Sequence, residues 1–187
     1  MSLDGLTNEE LPGLVQGLEA QVRRLAAVDH RVIAQLSERS IAARLGRASV
    51  ADLLVQLLRI TPRAARARVA QAVELGPRRT MAGEPLAPIL PVAAQAVAAG
   101  DLSGEHVAVV VKAVEHVPSA APVGVYEVVE STLVQAARHE HPGQLAKMAA
   151  LLLARLDPDG PEPRDQQRHR QVSLSVGPDG AGRLTGR

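Results

Sequence analysis

The chain has 187 residues, of which 46% are hydrophobic but only 1% aromatic, and its formal net charge is +1. It contains no cysteine, which excludes disulfides, thiolate metal sites and cysteine nucleophiles. The first residues are acidic and no apolar run approaches the roughly 20 residues of a membrane helix, so the sequence predicts a cytoplasmic protein with no membrane contact.

The small net charge conceals a strong segregation of charge along the chain. Residues 21–80 contain twelve arginines and four acids, hence +8, whereas residues 81–160 contain four bases and nine acids, hence −5. A basic block followed by an acidic block is typical of a nucleic-acid-binding face or of two halves that attract each other.

The first predicted element is a long amphipathic helix, whose start is marked by the capping pair Thr7 and Glu10. Its apolar positions alternate spacings of four and three, with Asp29 at the one polar position: Leu11, Val15, Leu18, Val22, Leu25, Val32 and Leu36. This heptad spacing predicts a narrow apolar seam. The seam either packs against later helices of the same chain or joins copies of the chain into a homo-oligomer.

Two pairs of shorter helices follow, and both have the spacing of a helix-turn-helix. In the first pair, Ser49 caps one helix and Thr61, followed by proline, opens the next. In the second pair, Gly100 ends one helix and Ser103 caps the other. The layout repeats, although two short capped helices do not by themselves establish an internal repeat.

Two more helices are predicted before Leu156, and the character of the chain then changes. Residues 157–170 are polar and proline-rich, as expected of a linker, and 171–187 read as an incomplete β-hairpin, apparently truncated, whose second strand has only begun. The predicted fold is therefore mostly α. It is a multi-helix domain over 1–156, with a long N-terminal helix, two helix-turn-helix-like pairs and the start of a C-terminal β-hairpin.

The order of these elements resembles domain of unknown function 222. The resemblance rests on SVADLL with ITPRAARARVAQAVEL, on A-x-x-x-G-D-L-S-x-x-H (Ala96 to His106), and on LDPDG with the closing DGAGRLTG. It implies an actinobacterial N-terminal domain that stands in front of an HNH endonuclease-type domain. The paired histidines, the asparagine and the metal ligands of an HNH module are absent from this chain.

The residues themselves form no catalytic constellation. His139 and His141 flank Glu140 at a predicted helix end, but no H-E-x-x-H spacing accompanies them, and no phosphate-binding glycine motif occurs. The sequence therefore predicts no catalytic residue, no metal site and no cofactor. Any enzymatic activity depends on the resemblance to nuclease-linked relatives.

A basic helix face is the best remaining candidate for function. Arg59, Arg63 and Arg66 lie just before and within the second helix of the first pair, where they could contact the phosphates of duplex DNA. Beyond Gln71, that helix offers no amide or lysine for reading bases. The leading hypothesis is a non-catalytic, DNA-associating or targeting domain. The alternatives are a structural or oligomerisation module, and part of a nuclease whose catalytic domain lies beyond residue 187.

Overall fold

The computed structural model describes residues 3–157 and the backbone of two strands, 172–176 and 182–186. The predicted linker lies outside the described residues except for Asp157. By its contacts the chain divides into two units, Met1–Leu156 and Asp157–Arg187, each described by itself below.

The described part of the first unit is built from helices, which confirms the mostly α prediction. Eight helices and a two-stranded ribbon follow in chain order: α1 (Glu10–Glu38), α2 (Ile41–Arg44), α3 (Val50–Leu58), α4 (Pro62–Leu75), β1 (Arg78–Arg79), β2 (Pro85–Leu86), α5 (Pro91–Ala99), α6 (Gly104–Glu115), α7 (Val125–Ala137) and α8 (Pro142–Leu156). The second unit contains β3 (Val172–Val176) and β4 (Gly182–Gly186).

The predicted capping residues form the expected bonds, although α1 itself begins only at Glu10, three residues after Thr7. The Thr7 N–H donates to the Glu10 carboxylate at 2.8 Å, and the Glu10 N–H donates to the Thr7 hydroxyl at 3.3 Å. The hydroxyl of Ser49 accepts from the N–H of Asp52 at 3.1 Å. These side chains satisfy N–H groups that the first helical turn leaves without partners.

The two helix pairs that look alike in sequence differ in their packing. α3 and α4 pack on each other, whereas α5 packs on α1 and α7, and α6 packs on α7 and α8. The spacing predicted two helix-turn-helix-like pairs, and only the first is a packed pair. Helix α2 and the ribbon of β1 and β2 were not predicted, because one helical turn and two-residue strands are too short to produce a periodic pattern.

Two apolar clusters form the core of the first unit. The larger draws on α5 to α8 and on the segments between them, with Leu102, Val110 and Leu145 almost completely buried. The smaller joins α1, α3 and α4 through Ile33, Leu54, Ala65 and Ala72. Because aromatic side chains are nearly absent, helices approach closely over alanine and valine, and Ala65 has no exposed surface.

Helix α1 does not bury the heptad seam. Leu11, Val15, Leu18, Val22, Leu25 and Val32 are all exposed, and only Leu36 packs against the smaller cluster. Packing against later helices, one of the two interpretations of the seam, is therefore not seen for these six residues within the described part of the chain. The side of α1 that faces its own domain carries His30 and Ile33, both buried, and Ala26 and Ala27. The helix has two apolar faces, and only this second face is used within the described chain.

The α5–α6 turn approaches α1 so closely that a glycine is required there. Gly100 has φ +88°, and a Cβ at this position would lie 2.7 Å from the carbonyl oxygen of Ala20 in α1. Arg23 and Arg24 of α1 donate to the carbonyls of Asp101 and Ala99 at 2.8 and 3.0 Å. They complete the end of α5, whose last carbonyls have no helical partners.

In the second unit, β3 and β4 are antiparallel, with register pairs from Val172 with Gly186 to Val176 with Gly182. The sequence predicted only the start of a second strand, whereas five residues of β4 are paired.

Candidate nucleic-acid interface

The first helix pair is closed by a tight turn that carries the first candidate arginine. Arg59 follows α3 in the left-handed conformation, with φ +54°, and so reverses the chain within three residues. The Thr61 hydroxyl then accepts from the Ala64 N–H at 3.2 Å, and Pro62 occupies the first turn of α4. Caps at Ser49 and Thr61 thus fix both helix starts, and Ala65 and Leu54 pack the pair together in the smaller cluster.

All three candidate arginines are exposed on this pair. Arg63 and Arg66 are three residues apart on α4 and so share a face, and Arg59 precedes them in the turn. Among the described residues, none of the three forms an ion pair within 4.0 Å. Their neighbour Arg68 differs, because its guanidinium lies 3.8 Å from the carboxylate of Asp29. Within the described residues the three cationic groups therefore lack an acidic partner, and they lie at the helix end whose dipole favours anions.

No described residue of the acidic block forms an ion pair with these arginines. The four ion pairs between described residues are Arg23 with Glu19, Arg68 with Asp29, Arg79 with Glu38, and Arg138 with Asp101. None of them joins the basic block 21–80 to the acidic block 81–160. Attraction between the two halves through paired side chains, one of the two interpretations of the charge pattern, is not seen among these residues.

Gln71, the one amide considered for base reading, is engaged inside the domain. Its Nε2 donates to the carbonyl of Gly104, the first residue of α6, at 3.0 Å. Burial lowers the pKa of His30, because it penalises the imidazolium form. Gln71 therefore links α4 to α6. The exposed positions of α4 beyond Arg66 are Ala67, Arg68, Ala70 and Val73, so none of them offers an amide for reading bases.

An open groove of about 860 Å³ lies beside the Asp101–His106 turn. Two of the polar side chains that line it, His106 and Arg138, bond to other groups of the protein. The His106 Nδ1 accepts from the Ser103 N–H at 3.3 Å, and Nε2 lies 2.9 Å from the carbonyl oxygen of Glu140. Since a carbonyl can only accept, Nε2 carries the proton. Together with the ion pair of Asp101 and Arg138, these bonds fasten the start of α6 to the α7–α8 turn.

This geometry gives His106 a structural role at the start of α6. The capping box is unusual in having histidine at its third position, where glutamate or glutamine is typical. His139 and His141 line the same groove. Within the described residues, no three histidine, aspartate or glutamate side chains are grouped so that they could hold a metal ion.

A buried carboxylate that the sequence did not single out holds α5 and α7 together. Glu130 of α7 is only 2% exposed and accepts from the N–H of Ala93, in the first turn of α5, at 2.9 Å. Burial raises the pKa of Glu130, and the backbone N–H bonds partly oppose this. The residue caps α5 from another helix, and no local spacing signals such a contact.

None of the described helices combines the length and the apolar character that crossing a bilayer requires.

Comparison with known proteins places the chain in a family. The model of the family described as "Domain of unknown function (DUF222)" matches residues 13–187. The chain therefore belongs to the DUF222 family. No solved structure matches the chain.

Curated relatives from mycobacteria match the whole chain. The uncharacterized protein MT1160 of Mycobacterium tuberculosis (strain CDC 1551 / Oshkosh) is 37% identical over 189 residues, which cover 100% of this chain and 44% of the relative. The uncharacterized protein Mb1179c of Mycobacterium bovis is 33% identical, over 100% of this chain and 41% of the relative. The chain thus spans less than half the length of the curated relatives it matches.

Proposed function

We propose that this domain associates with duplex DNA through the α3–α4 pair and has no catalytic role of its own. The observation that carries the proposal is the set of exposed arginines, Arg59, Arg63 and Arg66, which have no acidic partner among the described residues. They occupy the turn and the first turns of the second helix, the part of a helix-turn-helix that approaches the DNA.

The binding proposed here is electrostatic and tolerant of sequence. Arginine forks suit phosphate oxygens, and the amide of Gln71 is turned into the domain. Contacts of this kind position a protein on DNA without reading its bases. Dissociation constants of about 10⁻⁴ to 10⁻⁶ M are typical of such non-specific binding at physiological salt.

In the whole protein, the domain would bring DNA to a catalytic module elsewhere in the chain. The resemblance to domains that precede HNH endonuclease-type modules supports this role, and the relatives are more than twice as long as the matched region. An actinobacterial, cytoplasmic protein, in the compartment that holds chromosomal DNA, fits the same proposal.

The test compares two triple variants that change the net charge equally. Arg59→Ala/Arg63→Ala/Arg66→Ala should abolish measurable binding to a fluorescent 20-base-pair duplex at physiological salt, because three phosphate contacts are lost and the remaining attraction is screened. The control Lys112→Ala/Lys147→Ala/Arg155→Ala removes three exposed cations from α6 and α8 and should bind nearly as well as wild type. An equal loss of binding in both variants would mean that net charge alone, and not this interface, attracts the DNA.

A further inference from the structure

The exposed stripe of α1 is the largest feature of the described domain that its own fold does not use. Four of its side chains are exposed by 60% or more: Val15 65%, Leu18 60%, Val22 62% and Leu25 65%. From Leu11 to Val32 the stripe is about 30 Å long at 1.5 Å per residue. One helix face of that length amounts to a few hundred Å², which is at the upper end of the apolar patches that monomeric proteins expose.

The order of residues within the stripe indicates what covers it. With Leu11, Leu18 and Leu25 at heptad positions d, the a positions are Val15 and Val22. β-Branched residues at a with leucine at d favour two-stranded parallel coiled coils. A stripe that bound an unrelated protein would need large apolar residues, but it would not need valine at a to alternate with leucine at d.

The direction of the stripe leaves room for a partner helix. Its own domain packs against the face of α1 that carries His30 and Ile33, at positions b and e. On a helical wheel that face lies roughly 100° from the centre of the a and d positions, since successive residues are 100° apart. A second α1 can therefore lie along the seam without displacing α4 or α5.

The seam ends at a charged residue. Asp29 occupies the third a position, and its carboxylate is turned toward Arg68 of α4 at 3.8 Å. In a parallel pair, two such carboxylates at the axis would repel each other, so the apolar contact is confined to Leu11–Leu25. Two heptads give an interface at the low end of stable complexes, and association should therefore depend on concentration.

We propose that the chain forms a homodimer through a parallel two-stranded coiled coil of α1, with Leu11, Val15, Leu18, Val22 and Leu25 in its seam. The proposed dimer and the proposed DNA binding are independent, so an experiment can refute either one without refuting the other.

Sedimentation of the whole chain across a concentration series tests the dimer. Wild type should pass from 19.7 kDa toward twice that mass. Leu18→Gln/Leu25→Gln should raise the dissociation constant by about a hundredfold or more, because four leucines leave the interface. Since these leucines are exposed in the single chain, its thermal stability should not fall once dimer dissociation is allowed for.

The control for composition is Val128→Gln/Leu151→Gln, which changes two residues exposed by 60% and 68% on α7 and α8 and should leave the dimer intact. A monomer at all concentrations would overturn the proposal. A dimer that is weakened by the control variant but not by Leu18→Gln/Leu25→Gln would also overturn the proposal. Unfolding of the Leu18/Leu25 variant would also overturn it, because it would show that the chain covers its own stripe.

Disulfide cross-linking tests the parallel register. Because the chain has no native cysteine, any disulfide must join two introduced cysteines. Oxidised Val22→Cys should form a disulfide-linked dimer, because equal a positions meet across a parallel pair. Gly17→Cys lies on the outer face, where an added Cβ meets nothing within 4 Å, and should remain monomeric under denaturing conditions. Equal cross-linking of both variants, or none of Val22→Cys, would contradict the parallel register.

Discussion

At the scale of single residues, polar side chains connect elements that are distant in sequence. Glu130, His106 and Gln71 each bond to the backbone of another element, at separations of 37, 34 and 33 residues. The hydrogen bonds of the buried side chains among them matter for stability, because leaving a buried donor or acceptor unpaired costs about 1–3 kcal/mol. The packing of α5 to α8 is thus specified by polar contacts as well as by its apolar core.

Glu130 gives a prediction about pH. Its pKa is raised in the folded state, so the native chain binds this proton more tightly than the unfolded chain does. The contribution of Glu130 to stability is therefore full below its unfolded pKa and is lost as the pH rises through the folded pKa. Glu130→Gln cannot ionise, so its free energy of unfolding should improve relative to wild type as the pH rises from 4 to 7.

Urea unfolding at several pH values measures the difference in free energy of unfolding between wild type and Glu130→Gln. Titratable groups other than Glu130 are common to both proteins, so their effects cancel in this difference. Glu84→Gln, at an exposed position, is the control and should show no such trend. A difference between wild type and Glu130→Gln that does not change with pH would mean that the carboxyl titrates alike in the folded and unfolded chains.

At the scale of elements, the junction of α5 with α1 depends on Gly100. Gly100→Ala should destabilise the domain by about 2 kcal/mol or more. A left-handed conformation costs a non-glycine residue about 1–2 kcal/mol, and the new Cβ would also press on the Ala20 carbonyl at 2.7 Å.

Thermal or denaturant unfolding measures the effect. Gly17→Ala, where an added Cβ meets nothing within 4 Å, should instead be neutral or stabilising, because alanine is the better helix former. Similar stabilities for the two variants would show that α1 and α5 are not held together as described.

Helix starts were predictable from the sequence, and helix partners were not. Ser49, Thr61 and Ser103 signal their helices because a cap bonds within its own first turn. The heptads of α1 specify an apolar seam, but the same spacing serves packing within a chain and between chains. The carbonyl partner of His106 and the burial of Glu130 arise from the tertiary arrangement, and no pattern within a window of sequence encodes them.

For the candidate interface, the sequence predicted the residues but not their availability. Arg59, Arg63 and Arg66 stand out by charge and by position near a helix start. The pairing of Arg68 with Asp29 and the inward bond of Gln71 distinguish the free cations from the occupied side chains, and both depend on how α4 lies against α1 and α6.

At the scale of the whole molecule, we propose that this domain binds DNA and that catalysis belongs to another part of the protein. This predicts that the chain alone does not cleave DNA. Purified protein incubated with supercoiled plasmid and Mg²⁺, Mn²⁺ or Zn²⁺ should leave the plasmid intact, because the sequence supplies no nuclease ligand set and no activated water. Metal-dependent nicking that His139→Ala/His141→Ala abolishes would contradict this prediction and would place a catalytic site at the α7–α8 turn.

The salt dependence of DNA binding tests the central claim most directly, since each neutralised phosphate releases counterions and steepens the fall of affinity with salt. We predict that Arg59→Ala/Arg63→Ala/Arg66→Ala reduces the slope of log binding constant against log salt by about three units, one for each phosphate that an arginine no longer neutralises. To keep the variant's binding measurable, the series is run at low salt. The same slope in wild type and in the triple variant would contradict the account, because these arginines would then touch no phosphate.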